Sequence, residues 1–479
     1  MNKRILYQAI GIVCLCLVYG SCKVPKVAER QENAAVPNTF DSSATTDTTS
    51  SAAVHWRDFF TDPYLVSLID TALKNNQELN ITLQEIEIAK NEVRAKKGDI
   101  LPSVNYHVGA GVDKAGRYTS QGAGDASTEM TPGKAVPEYL GDFALGLDAE
   151  WEADIWHKLH DAQAAEVDRY LATVEGKNFV LTNLIAEVAN SYYELLALDY
   201  QLGVVKQSIV LQQDALEIVK AQKEAARANE LGVQQFAAQV KSTQSREFEI
   251  AQDIKETENR INFLLARFPQ KIERTQTDFI NLPIASVSTG VPSSLLENRP
   301  DIRQAALELA ASKLDVKVAR AEFYPSFTIT AALGFDAFSP KYLFRVPQSI
   351  ATSLLGDVAG PLINKNAIKA EYYSANARQL QAVYNYERSI LNGYVEVSNG
   401  LSGIANLQKS YDQQTQQVAA LNNSIEISNS LFKSARVDYL DVLTAQRDAL
   451  EAKLDLVDTK KGQLNAVVNM YKALGGGWK

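Results

Sequence analysis

Two segments of the chain repeat one alternation of apolar residues with polar or small ones. Residues 99–111 read DILPSVNYHVGAG, and residues 322–334 read EFYPSFTITAALG. Each segment breaks at Pro-Ser and then places apolar side chains at every second position. A period of two over about ten residues predicts a β-strand with one apolar face. It is also the pattern of a transmembrane barrel strand, although a half-buried soluble strand alternates in the same way.

The alternation predicts four strands, arranged as two pairs. They are expected at residues 103–113, 143–151, 326–336 and 349–358. Four strands cannot close a membrane barrel within one chain, because the smallest such barrels need about eight and an open edge in lipid leaves backbone groups unpaired. If these strands span a membrane, copies of the chain must share one barrel. A dimer would supply eight strands, and a trimer would supply twelve, which is wide enough for a pore.

The segments that follow the strand pairs have the composition of very long helices. Residues 155–227 contain no Pro and only Gly176 and Gly203, and residues 368–433 form a second such stretch. At a rise of 1.5 Å per residue the first stretch would be a rod of about 110 Å. Its apolar stripes are narrow, which is typical of coiled-coil seams with the remaining faces in water. Shorter helices are predicted at about 65–98, 229–267, 296–321 and 437–474.

The order of predicted elements occurs twice along the chain. Each copy reads helix, strand, loop, strand, long helix, short helix, and the tetrapeptides EVAN (187–190) and EVSN (396–399) repeat with it. A repeat of this kind indicates a tandem duplication. We place the first repeat at residues 55–290 and the second at 291–479.

The N-terminus has the features of an export signal. Lys3 and Arg4 precede an apolar run that is too short to span a bilayer, so residues 1–21 are predicted to be a signal peptide. The run ends in Tyr-Gly-Ser-Cys, which resembles a lipobox, and cleavage there would leave Cys22 as an acylated N-terminus. The alternative is ordinary cleavage with Cys22 unmodified. Residues 22–54, which are Ser/Thr-rich at 40–53, are predicted to be a flexible linker.

Composition excludes several classes of protein. Cys14 and Cys16 would leave with the signal, so the mature chain has no pair of cysteines for a disulfide or a multi-cysteine zinc site. The formal net charge of −9 gives no basic stripe for nucleic acid. The sequence also shows no arrangement of nucleophile, base and orienting group, so we expect neither an enzyme nor a cofactor other than the lipid on Cys22.

Four stretches resemble the TolC family of outer-membrane efflux proteins, and specifically its NodT-like branch of RND efflux lipoproteins. They are residues 56–69 (WRDFFTDPYLVSLI), 299–303 (RPDIR), 322–326 (EFYPS) and 473–478 (ALGGGW). The resemblance covers essentially everything from residue 55 to the C-terminus. The RPDI stretch, which opens the second repeat, is the most specific of the four.

The resemblance implies a mainly α fold with a small β part. The protomer would combine long coiled-coil helices with four strands of a shared 12-stranded barrel in a homotrimer. Such a protein is a lipid-anchored channel-tunnel of the outer membrane, with its helices in the periplasm. It would passively export small molecules that an inner-membrane RND-type pump delivers through a periplasmic adaptor. The alternative is the outer-membrane duct of a type I protein secretion system; a structural periplasmic spacer would need no strands.

By the same resemblance, the two helix turnarounds farthest from the barrel are the functional tips. Gly232 and Val233 in one, with Arg436 and Val437 in the other, are predicted to contact the adaptor, and Asp438 and Asp441 to line the periplasmic gate. Asp438 is also a natural helix N-cap, and Asp441 in the first helical turn favours the helix dipole. Both interpretations remain open for these carboxylates.

The two junctions between strand and long helix depart from the family pattern. Where the family commonly has Gly, this chain has Trp-His157-Lys and Ile-Asn364-Lys. Asn tolerates a left-handed backbone, and His does so less readily. His157 and His160 are three residues apart and form a candidate pair of metal ligands. No third ligand stands out nearby in the sequence, so we predict no metal site.

Overall fold

The protein is described by a computed structural model over residues 24–28, 30–40, 50–275, 278–434 and 436–478. Cys22 and the predicted signal peptide lie outside the described residues, so lipidation of Cys22 stays a prediction. In the described part of the chain, no helix is both long and apolar enough to cross a membrane.

Long helices account for most of the described chain, as the sequence predicted. In chain order they are α1 (Trp56–Phe59), α2 (Pro63–Asn75), α3 (Gln77–Asp99), α4 (Ser120–Asp125), α5 (Lys158–Glu224), α6 (Glu230–Leu264), α7 (Ser294–Asn298), α8 (Pro300–Ala321), α9 (Asn366–Lys433) and α10 (Tyr439–Ala473). The two long ones, α5 and α9, contain 67 and 68 residues. A tandem duplication of the chain would give two long helices of nearly equal length, as is found here.

The helix predicted over residues 65–98 is divided in two at Asn76. The Asn76 side chain accepts a hydrogen bond from the backbone N–H of Leu79, at 3.0 Å, and so caps α3. It also donates to the carbonyl oxygen of Leu264, at 2.9 Å. An Asn side chain competes with the helical backbone in this way and favours a helix start over a helix interior. The helix predicted over residues 296–321 is also divided: α7 ends at Asn298, and Pro300 takes the first helical position of α8.

The described chain forms two compact units, and each includes segments of both predicted repeats. One unit comprises the described parts of Met1–Gln31 together with Ile88–Tyr170 and Leu307–Val383. The other comprises Glu32–Glu87, Leu171–Ala306 and Tyr384–Lys479. The division into repeats therefore stays a proposal about the origin of the sequence, distinct from how the chain packs.

The first unit contains a four-stranded antiparallel sheet. The strands are β1 (Ser103–Asp113), β4 (Leu140–Ala153), β5 (Ser326–Ala337) and β6 (Ile350–Ala359), hydrogen-bonded in that order. The loop between β1 and β4 also contains α4 and a short hairpin, β2 (Glu129–Thr131) with β3 (Lys134–Ala135), which the sequence did not predict. Among the described residues, β1 and β6 each pair with one neighbouring strand and so form the two edges of the sheet.

The second unit packs around α5. Its largest fully buried side chains include Tyr192 and Leu195 of α5, Leu65 and Ile69 of α2, and Ile261 of α6. Tyr192 donates a hydrogen bond to the carboxylate of Asp62 at 2.8 Å, and Asp62 also caps α2. Burial, together with this carboxylate, raises the pKa of Tyr192 above its ordinary value. The hydroxyl therefore stays protonated and available as a donor.

The RPDI stretch has a structural role in this unit. The Arg299 side chain is 6% exposed, and its guanidinium pairs with Asp301 at 2.7 Å and Glu396 at 2.6 Å. It also donates to the carbonyl oxygen of Ala473, the last residue of α10, at 2.8 Å. The C-terminal tail returns to the same place, because the indole of Trp478 donates to the carbonyl oxygen of Asn298 at 3.0 Å. Two of the stretches that carry the family resemblance thus pack on each other.

Removal of the Arg299 guanidinium is expected to destabilise the second unit strongly. Arg299→Ala leaves the carboxylate of Asp301 and the carbonyl of Ala473 without their buried partner, which costs about 3–5 kcal/mol. Arg447→Ala is the matched control, because Arg447 lies in the same unit and forms an exposed pair with Asp448 at 3.0 Å, and an exposed pair contributes about 0–1 kcal/mol. Chemical denaturation followed by circular dichroism measures both variants. Equal losses would contradict a structural role for the buried network.

Candidate functional site

The two predicted tips share one small apolar cluster. The turn between α5 and α6 (residues 225–229) and the turn between α9 and α10 (residues 434 and 436–438) both adjoin it. Its buried members are Ala215, Val219, Val233, Phe236, Phe432 and Val442. Val437 packs against this cluster as a half-buried side chain. The structure therefore brings the two predicted adaptor-contact segments together, although they are about 200 residues apart in sequence.

Gly232 allows the first turn of α6 to approach α10 closely. Asn229 caps α6 by accepting a hydrogen bond from the N–H of Gly232 at 3.0 Å. A Cβ atom added to Gly232 would lie 3.2 Å from the ring of Tyr439, which is tighter than ordinary van der Waals contact. Gly232 and Val233 are thus buried in contacts within the chain, while their neighbour Leu231 is 58% exposed. Their predicted contact with an adaptor is not tested by this arrangement and stays a proposal.

Asp438 and Asp441 form a capping box at the start of α10. The Asp438 carboxylate accepts from the N–H of Tyr439 at 2.8 Å, and the Asp441 carboxylate accepts from the N–H of Asp438 at 3.1 Å. A capping box satisfies backbone donors that a helix start otherwise leaves unpaired. Both side chains are nevertheless exposed. The helix-capping interpretation is therefore observed, and a gating role for either carboxylate stays a prediction.

A cleft of about 660 Å³ separates the two turns. Its lining includes three cationic side chains, Arg227, Lys433 and Arg436, and the carboxylate of Asp438. Among the described residues, no carboxylate forms an ion pair with Arg436, which is exposed. The cleft therefore presents a net positive surface beside the acidic capping box.

The sheet in the first unit has one continuous apolar face. Strand pairing places residues that share this face directly opposite one another across the four strands. The rows are Val104–Ala149–Ala331–Leu354, Tyr106–Leu147–Leu333–Thr352 and Val108–Leu145–Phe335–Ile350. Tyr106 is 80% exposed and Leu354 is 79% exposed. So large an exposed apolar face marks an interaction with lipid or with another protein surface.

The opposite face of the sheet is polar or carries small residues. One row is Asn105–Asp148–Ala332–Ser353, and the next is His107–Gly146–Gly334–Ala351. The ring of His107 lies 2.6 Å from the carboxylate of Asp148. A Cβ atom on Gly334 would meet the carbonyl oxygen of Leu145 at 2.6 Å, so only glycine fits there. This alternation of apolar and small or polar faces is the pattern of transmembrane barrel strands.

The junction between β4 and α5 brings three possible metal ligands together. Oxygen and nitrogen atoms of Asp154, His157 and His160 all lie within 4.8 Å of one another. The Asp154 carboxylate accepts from the backbone N–H groups of Leu159 at 3.1 Å and His160 at 2.9 Å, and lies 2.6 Å from Nδ1 of His160. Burial raises the pKa of Asp154, but the hydrogen bonds from His160 and Leu159 outweigh it, so the pKa is lowered overall.

The sequence prediction missed Asp154 because the three residues form a cluster only through the local turn. His157 adopts φ = 57°, and Asn364, its counterpart after β6, adopts φ = 55°. Both junctions are thus left-handed, including the one with His, where this conformation is less favourable. The left-handed residue precedes the start of α5 at Lys158. The spacing Asp-x-x-His-x-x-His was the signal that would have found the cluster.

Comparisons with known proteins agree on a single protein family. The family described as "Outer membrane efflux protein" matches residues 68–267 and 291–476. The pyoverdine export outer membrane protein OpmQ of Pseudomonas aeruginosa is 27% identical over 470 residues, covering 98% of this chain and 97% of OpmQ. The toluene efflux pump outer membrane protein TtgF of Pseudomonas putida is 28% identical over 441 residues, covering 90% of this chain and 87% of TtgF.

Solved structures give the same result. The crystal structure of CusC has a TM-score of 0.82 at 26% identity and covers 94% of this chain and 99% of that one. In sequence, the cation efflux system protein CusC of Escherichia coli K12 is 26% identical over 422 residues, 88% of each chain. The outer-membrane channel OprN, at 22% identity and a TM-score of 0.82, has the same fold. On the two matched segments, which together span most of its length, the chain belongs to the outer membrane efflux protein family.

Proposed function

We propose that this outer-membrane efflux protein acts as a homotrimeric channel-tunnel in a tripartite system. Small molecules would enter from an inner-membrane RND-type pump, pass through a periplasmic adaptor and leave through a shared barrel. The helices extend into the periplasm, and Cys22 is proposed to carry the lipid anchor. The observation that carries the proposal is the sheet, with one exposed apolar face and with edge strands β1 and β6 that each have a single partner in the described part of the chain.

The edges of the sheet lead from a single chain to a trimer. A membrane-spanning edge must find a partner, because lipid offers no hydrogen bonds to its N–H and C=O groups. If β1 of one copy pairs with β6 of the next, the sheet closes without any further segment of the chain. Two copies would give eight strands, whose interior is filled by side chains, and three would give twelve, which leaves a pore. A pore is what an efflux channel requires, so three copies are favoured.

The range of cargo among the relatives supports small-molecule efflux. Their names give pyoverdine export, toluene efflux and cation efflux. Such different cargoes share one channel architecture, so the upstream pump rather than the channel is proposed to select the substrate. The runner-up, a duct for type I protein secretion, would use the same barrel but a different inner-membrane partner.

The assembly itself is tested by native mass spectrometry of the full mature protein in detergent. The expected species contains three chains, each beginning at Cys22 and carrying the mass of its acyl chains. Cys22→Ser is expected to lose the lipid mass and to assemble less well without losing the fold, because the strands provide their own attachment. A stable monomer with its sheet intact would contradict the closure argument, and an unmodified N-terminus would contradict lipidation.

The direction of transport and the class of cargo are tested in cells. Deletion of the coding gene is expected to increase accumulation of a fluorescent dye that the host's RND-type pumps export, and re-expression is expected to reverse the increase. Exported proteins in the culture medium are measured in the same strains as a control. Unchanged dye accumulation with loss of a secreted protein would favour the type I secretion duct instead.

The charge of Asp441 is separated from its capping role by two substitutions. In a trimer, three Asp441 carboxylates around a narrow lumen would repel one another and favour cations. Asp441→Asn removes the charge but keeps an oxygen that can accept from the N–H of Asp438, whereas Asp441→Ala removes both. Both variants are expected to lose cation selectivity and divalent block in planar-bilayer recordings.

A purely structural Asp441 gives a different pattern. Asp441→Ala would then cost about 0.3–1 kcal/mol of stability, and neither variant would change the current. Asp448→Asn is the matched control, because Asp448 lies on the same helix and its charge is neutralised by Arg447 at 3.0 Å. Selectivity that is unchanged in both Asp441 variants would remove this residue from the proposed gate.

A further inference from the structure

The junction between β4 and α5 carries a group of possible metal ligands that the proposed efflux function does not require. It consists of one carboxylate, from Asp154, and two imidazoles, from His157 and His160. Two histidines and one carboxylate are a common set for divalent transition metals, and they leave further coordination positions for water. The three residues belong to one compact unit and to one short stretch of chain, residues 154–160, so their arrangement depends on local structure alone.

We propose that Asp154, His157 and His160 bind a divalent transition-metal cation, Zn²⁺ or Cu²⁺, through one carboxylate oxygen and two imidazole nitrogens. This replaces the expectation from sequence that the two histidines bind no metal. The difference is Asp154, the third ligand, which only the left-handed turn at His157 brings into reach.

The geometry needs only small side-chain adjustments to hold the ion. Metal–ligand bonds of about 2.0–2.1 Å place the ligand atoms of a tetrahedral site roughly 3.3 Å apart. In the structure the three ligand atoms all lie within 4.8 Å of one another, and the Asp154 carboxylate is 2.6 Å from Nδ1 of His160. That contact would lengthen as the ion enters between the two groups. The ring of His157 is exposed and free of the core, so it can rotate toward the ion.

Asp154 is held in place by bonds that metal binding would not disturb. Its two carboxylate oxygens accept from the backbone N–H groups of Leu159 and His160. Its side chain is 6% exposed, in contrast to 55% for His160. Groups that orient a ligand from outside the coordination shell raise metal affinity about 10–100-fold. The carboxylate is thus pre-positioned, while both imidazoles face solvent from which an ion can enter.

The charges around the cluster also favour a cation. A helix N-terminus by itself repels positive charge. Here Asp154, in the junction before α5, and Asp161, in its first turn, oppose that effect. The nearby cation, Lys158, is paired with Glu152 at 2.6 Å. The local balance of these four groups is therefore two negative charges, which match a divalent ion.

The second repeat shows that the turn does not require these ligands. Residues 154–160 read DIWHKLH, and the corresponding residues 361–367 read PLINKNA. Asn364 makes the same left-handed turn as His157, yet Pro361 and Ala367 stand where the first repeat has Asp154 and His160. The backbone geometry is thus built without any of the three donors. Asp154 also accepts from the first backbone N–H groups of α5, whereas the left-handed turn gives no reason for the two histidines, and their placement beside this carboxylate is what ligation of a metal would require.

The test uses the full mature protein in detergent, purified through an affinity tag without histidine. Zn²⁺ is titrated by calorimetry, and bound Cu²⁺ is measured by electron paramagnetic resonance, where coupling to nitrogen counts the imidazoles. Wild type is expected to bind one high-affinity ion per chain, with two coupled nitrogens. His157→Asn and His160→Ala reproduce the residues of the second repeat, so both variants keep the turn. Each is expected to weaken binding at least about tenfold and to show one coupled nitrogen.

A matched control distinguishes metal binding at this three-ligand site from binding at a pair of one histidine and one carboxylate. His107 contacts Asp148 at 2.6 Å in the sheet but has no second histidine beside it. His107→Asn is therefore expected to bind Zn²⁺ and Cu²⁺ like wild type. Absence of high-affinity binding to wild type would overturn the proposal. So would equal binding by wild type and the His157 and His160 variants, since the ions would then occupy another place.

Discussion

The organisation of this protein depends on the pairing of strand edges. The sheet of one chain ends at β1 and β6, and each of these strands has one partner among the described residues. In water such an edge is a liability that proteins shield with charge, bulges or covering segments. In lipid it is forbidden, because unpaired N–H and C=O groups have no solvent to bond with. The same sheet has an exposed apolar face, and pairing of its edges between copies, as in the proposed trimer, would satisfy both constraints.

Much of the fold could be predicted because its periodicities are simple and long. Alternation predicted the strands, less cleanly for β6 than for the other three, because side chains on a strand point to opposite faces at a period of two. The absence of Pro over long stretches predicted α5 and α9. These features depend on local chemistry that each segment carries by itself.

Features that depend on contacts between distant segments could not be predicted. The ring of Tyr439 lies against Gly232, and nothing in the sequence near residue 232 shows that contact. Asn76 divides a helix because its amide also reaches Leu264. Asp154 was missed for a different reason: its distance from both histidines depends on one unusual backbone angle. Neither the amino-acid composition nor the period of apolar residues predicts such a backbone angle.

The two repeats share their backbone more closely than their chemistry. Both turn from strand to long helix through a left-handed residue, and α5 and α9 differ by one residue in length. Yet Arg299 and its network belong to the second repeat, whereas Asp154, His157 and His160 belong to the first. In a trimer built from such chains, each element that the two repeats share would occur six times around the axis, but each chemical site only three times. On the proposed duplication, the backbone common to both repeats would supply the shape of the assembly. Residues confined to one repeat then add separate roles to it: Arg299 stabilises the packing of one unit, and Asp154 with its two histidines forms the proposed metal site.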